Sequence, residues 1–381
     1  MENTETPQVN LPISEEEYGI TTGSAATGAA LAALLSLKGD VKVVTIQTPI
    51  TQLDIDVESS QKVTETSGRA SVIKRPYNDP DVTRNLEFFA DVTLKREPGI
   101  TVDGGEGVGR VTKPGLQVPV GGAAINPVPR EMIRSNLQGI IENEFPDYKG
   151  AEVVISVPEG RETAKRTMNP RLGIVDGISI LGTTGVARSM SIESYKKSFK
   201  CQMDVSLAEG YDELIFVPGN IGEKLALKLL DVEDDEVVQM SNFVGYMLSE
   251  AESAGVRRIT LFGHAGKLIK IAAGIFNTKH SVADGRREIM MAHAALRGAD
   301  PGVVKRIFES NTTEEMIDVL NEFDLVLPVF DSIADSIKEL CTAKYQMEFD
   351  VVILKMDGTV LNDNHEIAVG SVGDSKIRQD P

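Results

Sequence analysis

The 381-residue sequence predicts a protein with both α and β structure in two domains, an α+β domain followed by a doubly wound α/β domain. Three observations carry that expectation. The chain is long enough for two domains to bury separate cores. Runs of strand composition fill the first half, broken by one Ala/Leu-rich stretch and a long glycine-rich segment. Strand and helix patterns then alternate through the second half, with glycines where the strands end.

The opening residues read as a loose tail. It is acidic at Glu15, Glu16 and Glu17 and lacks the basic stretch of a signal peptide. Thr21-Thr22-Gly23-Ser24 then leads into a helix over 25–37, stopped by Gly39. Residues 41–47 and 53–57 have strand composition. Residues 71–74 and 87–94 continue it, with Asn78-Asp79-Pro80-Asp81 as a turn between them. The stretch 99–122 holds eight glycines in 24 positions, too many for a regular element, and is read as an ordered loop or set of tight turns. After Asn126-Pro127-Val128-Pro129, residues 130–142 follow a helical pattern. The first domain is placed at 1–172.

The second domain, 173–381, opens with an apolar strand at 178–181 that runs into Gly182-Thr183-Thr184-Gly185. A helix over 191–208 follows, then a strand at 214–217 ending in Pro218-Gly219-Asn220, and a helix to 230. Strand 236–240, helix 243–253, strand 258–262 and a helix from 265 repeat the unit. Beyond Asp284 the pattern is mostly helical, a late strand returns at 351–355, and the last dozen residues read as disordered. This rhythm is Rossmann-like, and ligands of such sheets sit at the carboxyl ends of the strands. Those ends carry Thr183, Thr184, Asn220, Ser241, Asn242 and His264.

A net charge of -18 is the wrong field for nucleic acid or an anionic membrane. The charge is unevenly spread, because 100–175 holds nine acids and nine bases while 299–381 holds seventeen acids and seven bases. An anionic ligand is therefore expected in the neutral middle segment. Cys201 and Cys341 cannot form a disulfide framework, and no metal-site spacing is present. The apolar run 25–37 is too short and too interrupted to span a bilayer. A soluble cytoplasmic protein is the expectation.

Individual signals need weighing. Residues 104–109 contain the spacing of a dinucleotide fingerprint, but 110–115 continue as loop or strand. A phosphate loop must open a helix, so the dinucleotide reading fails. Close backbone approach to a large ligand and a plain turn cluster both stay open. Thr21 to Ser24 could meet an anion, with ordinary helix capping the simpler account. Arg161, Lys165, Arg166 and Arg171 form the densest basic cluster. They make either a carboxylate-binding rim or a solvated face paired with Glu159 and Glu162. His264 stands at a strand end without any Ser/His/Asp or metal-ligand pattern. His280 and Asp284, four apart, are a base with its orienter or a local hydrogen bond.

Several longer motifs run through the chain in one order. They begin with Gly104-Gly105-Glu106-Gly107-Val108-Gly109, Val111-Thr112-Lys113-Pro114-Gly115-Leu116 and Ala124-Ile125-Asn126-Pro127-Val128-Pro129-Arg130. Asn169-Pro170-Arg171-Leu172-Gly173-Ile174, Gly182-Thr183-Thr184-Gly185 and Ser241-Asn242-Phe243-Val244-Gly245 continue in the same order. Gly263-His264-Ala265-Gly266-Lys267, Phe276-Asn277-Thr278 and Ala283-Asp284 complete the set. Together they resemble one family, the cobalt-precorrin-5B C1-methyltransferases of CbiD type, over 18–294, while the acidic C-terminal region matches in general character only. Three positions depart from the family pattern. Ser24 and Ala25 stand where it has Thr and Cys, Tyr77-Asn78 replace Gly-Asp, and Lys279 occupies an expected His position with His280 next.

The resemblance implies methyl transfer from S-adenosylmethionine to C1 of a cobalt-containing corrinoid precursor, without a covalent protein nucleophile. By the strand-end rule the cofactor is expected at Thr183, Thr184, Gly185, Asn220, Ser241, Asn242 and Gly263, with His264 and Asp284 as catalytic candidates. The corrinoid is expected in an interdomain cleft against the glycine loop. Candidate contacts are Thr22, Gly105, Gly107, Lys113, Asn126, Arg130, Arg161 and Arg171, the bases suiting a polycarboxylate. The acidic residue that usually follows a second strand to hold a ribose is missing, and Asn220 takes its place. No metal ligand is assigned, and homo-oligomerisation is left open. A nucleotide-dependent oxidoreductase and a non-catalytic tetrapyrrole carrier are the competing readings.

Overall fold

A computed structural model of the protein describes residues 18–77, 81–187 and 192–370. The expected loose N-terminal tail, most of the expected C-terminal disordered stretch, Asn78 to Pro80 of the expected turn, and Ser191 lie outside them. The chain divides into two units, Met1–Ser194 and Tyr195–Pro381.

The first unit begins with β1 (Gly19–Ile20) and α1 (Thr22–Leu35), followed by β2 (Val43–Gln47) and β3 (Gln52–Asp56). Next come β4 (Ser59–Lys62), β5 (Ser67–Ile73), β6 (Glu87–Lys95), β7 (Gly99–Gly104) and β8 (Arg110–Val111). After α2 (Pro127–Glu144) the chain forms β9 (Gly150–Ser156), α3 (Gly160–Ala164), β10 (Ile174–Val175) and β11 (Val186–Ala187). Its main sheet has the order β4-β5-β6-β9-β7, antiparallel except where β7 runs parallel to β9. Phe88, Ala90, Val92 and Leu94 of β6 alternate into the core, as a strand buried on one face requires.

Helix α1 explains the small-residue composition of its segment. Every residue from Thr22 to Leu34 is buried, so no face is left for water. The helix packs against β5, β6, α2 and β2. Close approach also demands Gly68 on β5, where a Cβ would lie 2.0 Å from the Ala33 carbonyl oxygen.

Two expectations are corrected in this unit. Residues 99–104, expected to be loop, form an edge strand whose Ile100 and Val102 face the core, so glycines at its two ends do not exclude pairing. Residues 174–187, expected to open the second domain, pair into the first unit. There β10 joins β8, β11 joins β1, and Ile178 and Ile180 bridge Val108 and Ile125.

The second unit contains α4 (Ile192–Ala208), β12 (Glu213–Val217), α5 (Asn220–Leu229), β13 (Val237–Gln239), α6 (Val244–Ser253) and β14 (Arg258–His264). Short α7 (Ala265–Leu268) leads to α8 (Arg286–Leu296), α9 (Pro301–Glu309), α10 (Thr313–Asn321), α11 (Val326–Lys344) and β15 (Glu348–Leu354). Four strands pair in the order β13-β12-β14-β15, all parallel. Alternate residues of β12 and β14 feed two different cores, one with α6 and the later helices and one with α5. Parallel strands covered on both faces need the near-continuous apolar runs seen in 214–217 and 259–262. From β12 the chain goes to β13 on one side, then crosses back to β14 on the other. That reversal puts the switch in strand order between β12 and β14, and ligands of open α/β sheets bind at the carboxyl ends beside such a switch.

Asp350 on β15 pins the chain that follows. Its fully buried carboxylate accepts backbone N–H groups of Val351, Glu366 and Ile367 at 2.8–2.9 Å, with Lys338 Nζ at 3.3 Å. Burial alone would raise this carboxyl, but the three N–H groups and Lys338 hold it below the usual carboxylate value. Among the described residues no helix is long and apolar enough to cross a membrane.

Candidate functional site

At the carboxyl edge of the second sheet, Gln239 ends β13 and organises its neighbours. Its buried side-chain amide donates to Asn220 Oδ1 at 2.8 Å and to Glu223 Oε2 at 3.0 Å, tying the end of β13 to the first turn of α5. Beyond it, Ser241 holds a left-handed φ of 51°, a conformation that costs energy in a non-glycine residue and turns the chain sharply toward α6. Gly263 lets the ends of β12 and β14 close up, since a Cβ there would lie 2.6 Å from Pro218 Cδ. Gly219 has open space where a Cβ would stand. The structure thus gathers Asn220, Ser241, Asn242, Gly263 and His264 along one edge of one sheet.

Positive charge collects after β14. Lys267 Nζ donates to Asn242 Oδ1. Lys270, almost fully buried, donates to the carbonyls of Ala283 at 2.9 Å and Thr278 at 3.3 Å. Arg286 grips Asp284 through two hydrogen bonds of 2.7 Å, and Lys270 stands 4.0 Å from the same carboxylate. Two cations therefore share one acid, while Lys267 stands near them without a carboxylate partner among the described residues. Burial lowers the Lys267 ammonium, and the nearby Lys270 and Arg286 lower it further.

This geometry sets the charge states of the two catalytic candidates. Asp284 is held far below the usual carboxylate range by Arg286, so it does not take up a proton near neutral pH. His280, largely exposed, merely adds a contact at 3.2 Å to the carboxylate that Arg286 already saturates. His264 is pushed below the usual imidazole value by burial, then by Lys267 and Arg286. Its ring is neutral near pH 7 and can accept a proton.

The residues assigned to substrate sit elsewhere, in the first unit, and several have other work. Thr22 donates to the carbonyls of Ser179 at 3.2 Å and Leu181 at 3.1 Å, and accepts the Leu181 N–H at 2.8 Å. Ser24 Oγ donates to the Gly185 carbonyl at 2.6 Å. The start of α1 is therefore closed by the 179–187 segment. Thr183, Thr184 and Gly185 belong to that clip, not to the parallel sheet.

Gly107 serves the packing of backbone on backbone, and Gly105 the packing of backbone on side chains. A Cβ at Gly107 would stand 1.7 Å from the Val157 carbonyl oxygen, and one at Gly105 would stand 2.4 Å from Ser156 Oγ. Arg130 is a staple: it donates to the carbonyls of Ile125 at 2.8 Å, Ala123 at 3.0 Å and Val102. Three of its five N–H donors are held by backbone carbonyls, which gives it a structural role in this unit. Asn126 caps α2 through its backbone, which accepts from Arg130 N at 3.1 Å. Lys113 lies along Gly173, next to Arg171 in the loop cluster around β8 and β10. Arg161, exposed, pairs with Asp176 at 3.0 Å.

Residues 11–189 match the family model described as CbiD, and residues 277–365 match that of the CbiD C-terminal domain. A relative from Methanobrevibacter smithii, named cobalt-precorrin-5B C(1)-methyltransferase, is 52% identical over 93% of this chain and 99% of its own. The chain belongs to the CbiD family. A relative of the same name from Methanosphaera stadtmanae is 53% identical over 92% of this chain and 93% of its own. The crystal structure of a cobalamin biosynthesis protein (cbiD) from Archaeoglobus fulgidus is 27% identical over 71% of this chain and 84% of that one. Its TM-score of 0.37 is too low to transfer a fold. The CbiD match at 277–365 corrects the expectation that the acidic C-terminal region shares only general character with the family.

Sequence reasoning missed three participants at the sheet edge. Glu223 is acidic and belongs to the site, but it precedes β13 in the chain, where a search after the second strand does not look. Gln239 carried no signal as the last residue of a short strand. Lys267 was visible within Gly263-His264-Ala265-Gly266-Lys267, yet its isolation from carboxylates appears only in three dimensions.

Proposed function

We propose that the protein is an S-adenosylmethionine-dependent methyltransferase that methylates C1 of cobalt-precorrin-5B, giving cobalt-precorrin-6A in anaerobic cobalamin biosynthesis. The observation that carries this reading is 52% identity, spanning nearly the whole of both chains, with a relative of that activity. We read the second unit as a Rossmann-like cofactor domain and place the enzyme in the cytoplasm.

The residues at the sheet edge fit such a cofactor. A ribose diol asks for a carboxylate and amide oxygens, and Gln239 holds Glu223 and Asn220 side by side at the switch in strand order. Gly219 leaves its backbone approachable. When bound, the cofactor supplies an electrophilic methyl group, and the corrinoid carbon is the nucleophile. The chain's own part is alignment and exclusion of water, a contribution that positioning alone makes large. Neutral His264 is the residue placed to accept a proton, and Asp284 with Arg286 fixes the loop beside it.

Calorimetry with S-adenosylhomocysteine tests this assignment. Binding is expected for the wild type, and Gln239→Leu should weaken it about tenfold or more by releasing two hydrogen-bonded partners. Binding of NADPH with no response to S-adenosylhomocysteine would point to an oxidoreductase and sink the methyltransferase reading.

A further inference from the structure

In the positive cluster after β14, Lys267 has donors that no described residue takes up. Lys267 Nζ has three donors, and Asn242 Oδ1 takes one of them. No carboxylate pairs with Lys267 among the described residues, because Asp284 is committed to Arg286, Lys270 and His280. A second and independent observation lies at Gly266, the residue before Lys267. Thr313, 7% exposed, keeps a buried hydroxyl with no hydrogen-bond partner, a costly state for a polar atom. A methyl placed on Gly266 would stand 3.4 Å from His264 Nδ1 and 3.6 Å from Thr313 Oγ1, so both atoms border the space in front of Gly266.

We infer that Lys267, His264 and Thr313 form a receptor for a ligand carboxylate in front of Gly266. A carboxylate there answers each open group at once. It offers a counter-ion to Lys267, acceptors to the Thr313 hydroxyl and to an imidazole N–H, and negative charge to a cluster with three cations and one acid. A glycine at 266 keeps the space open. The inference rests on the methyltransferase reading, which brings two carriers of this chemistry, the methionine moiety of the cofactor and the acidic side chains of the corrinoid.

Lys267→Met in the full-length protein separates the two sources. S-adenosylhomocysteine and 5′-methylthioadenosine share the adenosine thioether, but only the first has a carboxylate. If the cofactor is the source, Lys267→Met weakens S-adenosylhomocysteine by about 10- to 100-fold and leaves methylthioadenosine unchanged. If the substrate is the source, both nucleosides bind as before, and the KM for cobalt-precorrin-5B rises by a similar factor. Thr313→Val, which keeps the shape and removes the hydroxyl, should weaken the same ligand several-fold. Unchanged binding of all three ligands in both variants overturns the inference. So does equal loss of S-adenosylhomocysteine and methylthioadenosine, since that defect does not lie at a carboxylate. A wild type that binds neither nucleoside instead fails the methyltransferase reading, and the carboxylate receptor falls with it.

Discussion

Gly107→Ala should destabilise the first unit by about 3–5 kcal/mol and remove soluble activity at growth temperature. Two costs combine. Residue 107 has a φ of 71°, where a side chain adds roughly 1–2 kcal/mol of backbone strain. The new Cβ would also lie 1.7 Å from the Val157 carbonyl oxygen, so two backbone segments must separate. They cannot part cheaply, because the Gly107 carbonyl accepts the Ile178 N–H at 3.0 Å and Val157 N–H donates to Glu106 at 2.7 Å. Gly121→Ala is the matched control. Its φ of 83° is similarly left-handed, but nothing stands within 4 Å of the added carbon, so only the strain of about 1–2 kcal/mol is expected. Urea unfolding of the two variants measures the difference directly. Equal losses would show that backbone conformation, and not the crossing of segments, sets the glycine requirement.

Asp350→Ala is expected to cost about 3–5 kcal/mol in the second unit. The substitution strands three backbone N–H groups and leaves Lys338 beside an empty site. Asn362 is the other half of the clip, accepting from Ile353 N at 2.8 Å and donating to the Val351 carbonyl at 2.9 Å. With Asp350 gone, the chain from 359 to 370 should be released before the sheet melts. Limited proteolysis should then trim the C-terminal end of the variant while the rest of the chain stays intact. Asp350→Asn keeps one acceptor oxygen and should lose about half as much stability. A variant as stable and as protease-resistant as the wild type would mean that Asn362 alone holds the segment.

The sequence made some of this molecule legible and hid the rest for physical reasons. The strand 214–217 could be read because a continuous apolar run is punctuated by Pro218-Gly219-Asn220, and β12 and α5 lie there. The carboxyl ends that carry Asn220, Ser241, Asn242 and His264 followed from the same punctuation. The apolar segment 178–181 gave equally good local signals and misled. Its partners, Thr22, Val108 and Ile125, are distant in sequence, and only pairing shows which unit it joins. Arg130 looked like an anion anchor because side-chain charge is visible in a sequence and backbone carbonyls are not. Asp284 was read against His280, four residues before it. Arg286, two residues after it, holds the carboxylate more strongly through two short bonds. A carboxylate two residues before an arginine was the signal to heed.

The neutral segment 100–175 also changes meaning. Its bases are largely spent within the protein, Arg110 on Asp103, Arg130 on carbonyls and Arg161 on Asp176. Unmatched positive charge lies instead around Lys267, in an otherwise acidic chain.

The protein is incubated with cobalt-precorrin-5B and S-adenosylmethionine carrying a labelled methyl group, and the corrinoid is read by mass spectrometry. The methyltransferase reading requires one labelled methyl per corrinoid, located at C1, with S-adenosylhomocysteine formed in equal amount. A corrinoid recovered tightly bound but unmethylated would contradict it and identify a carrier.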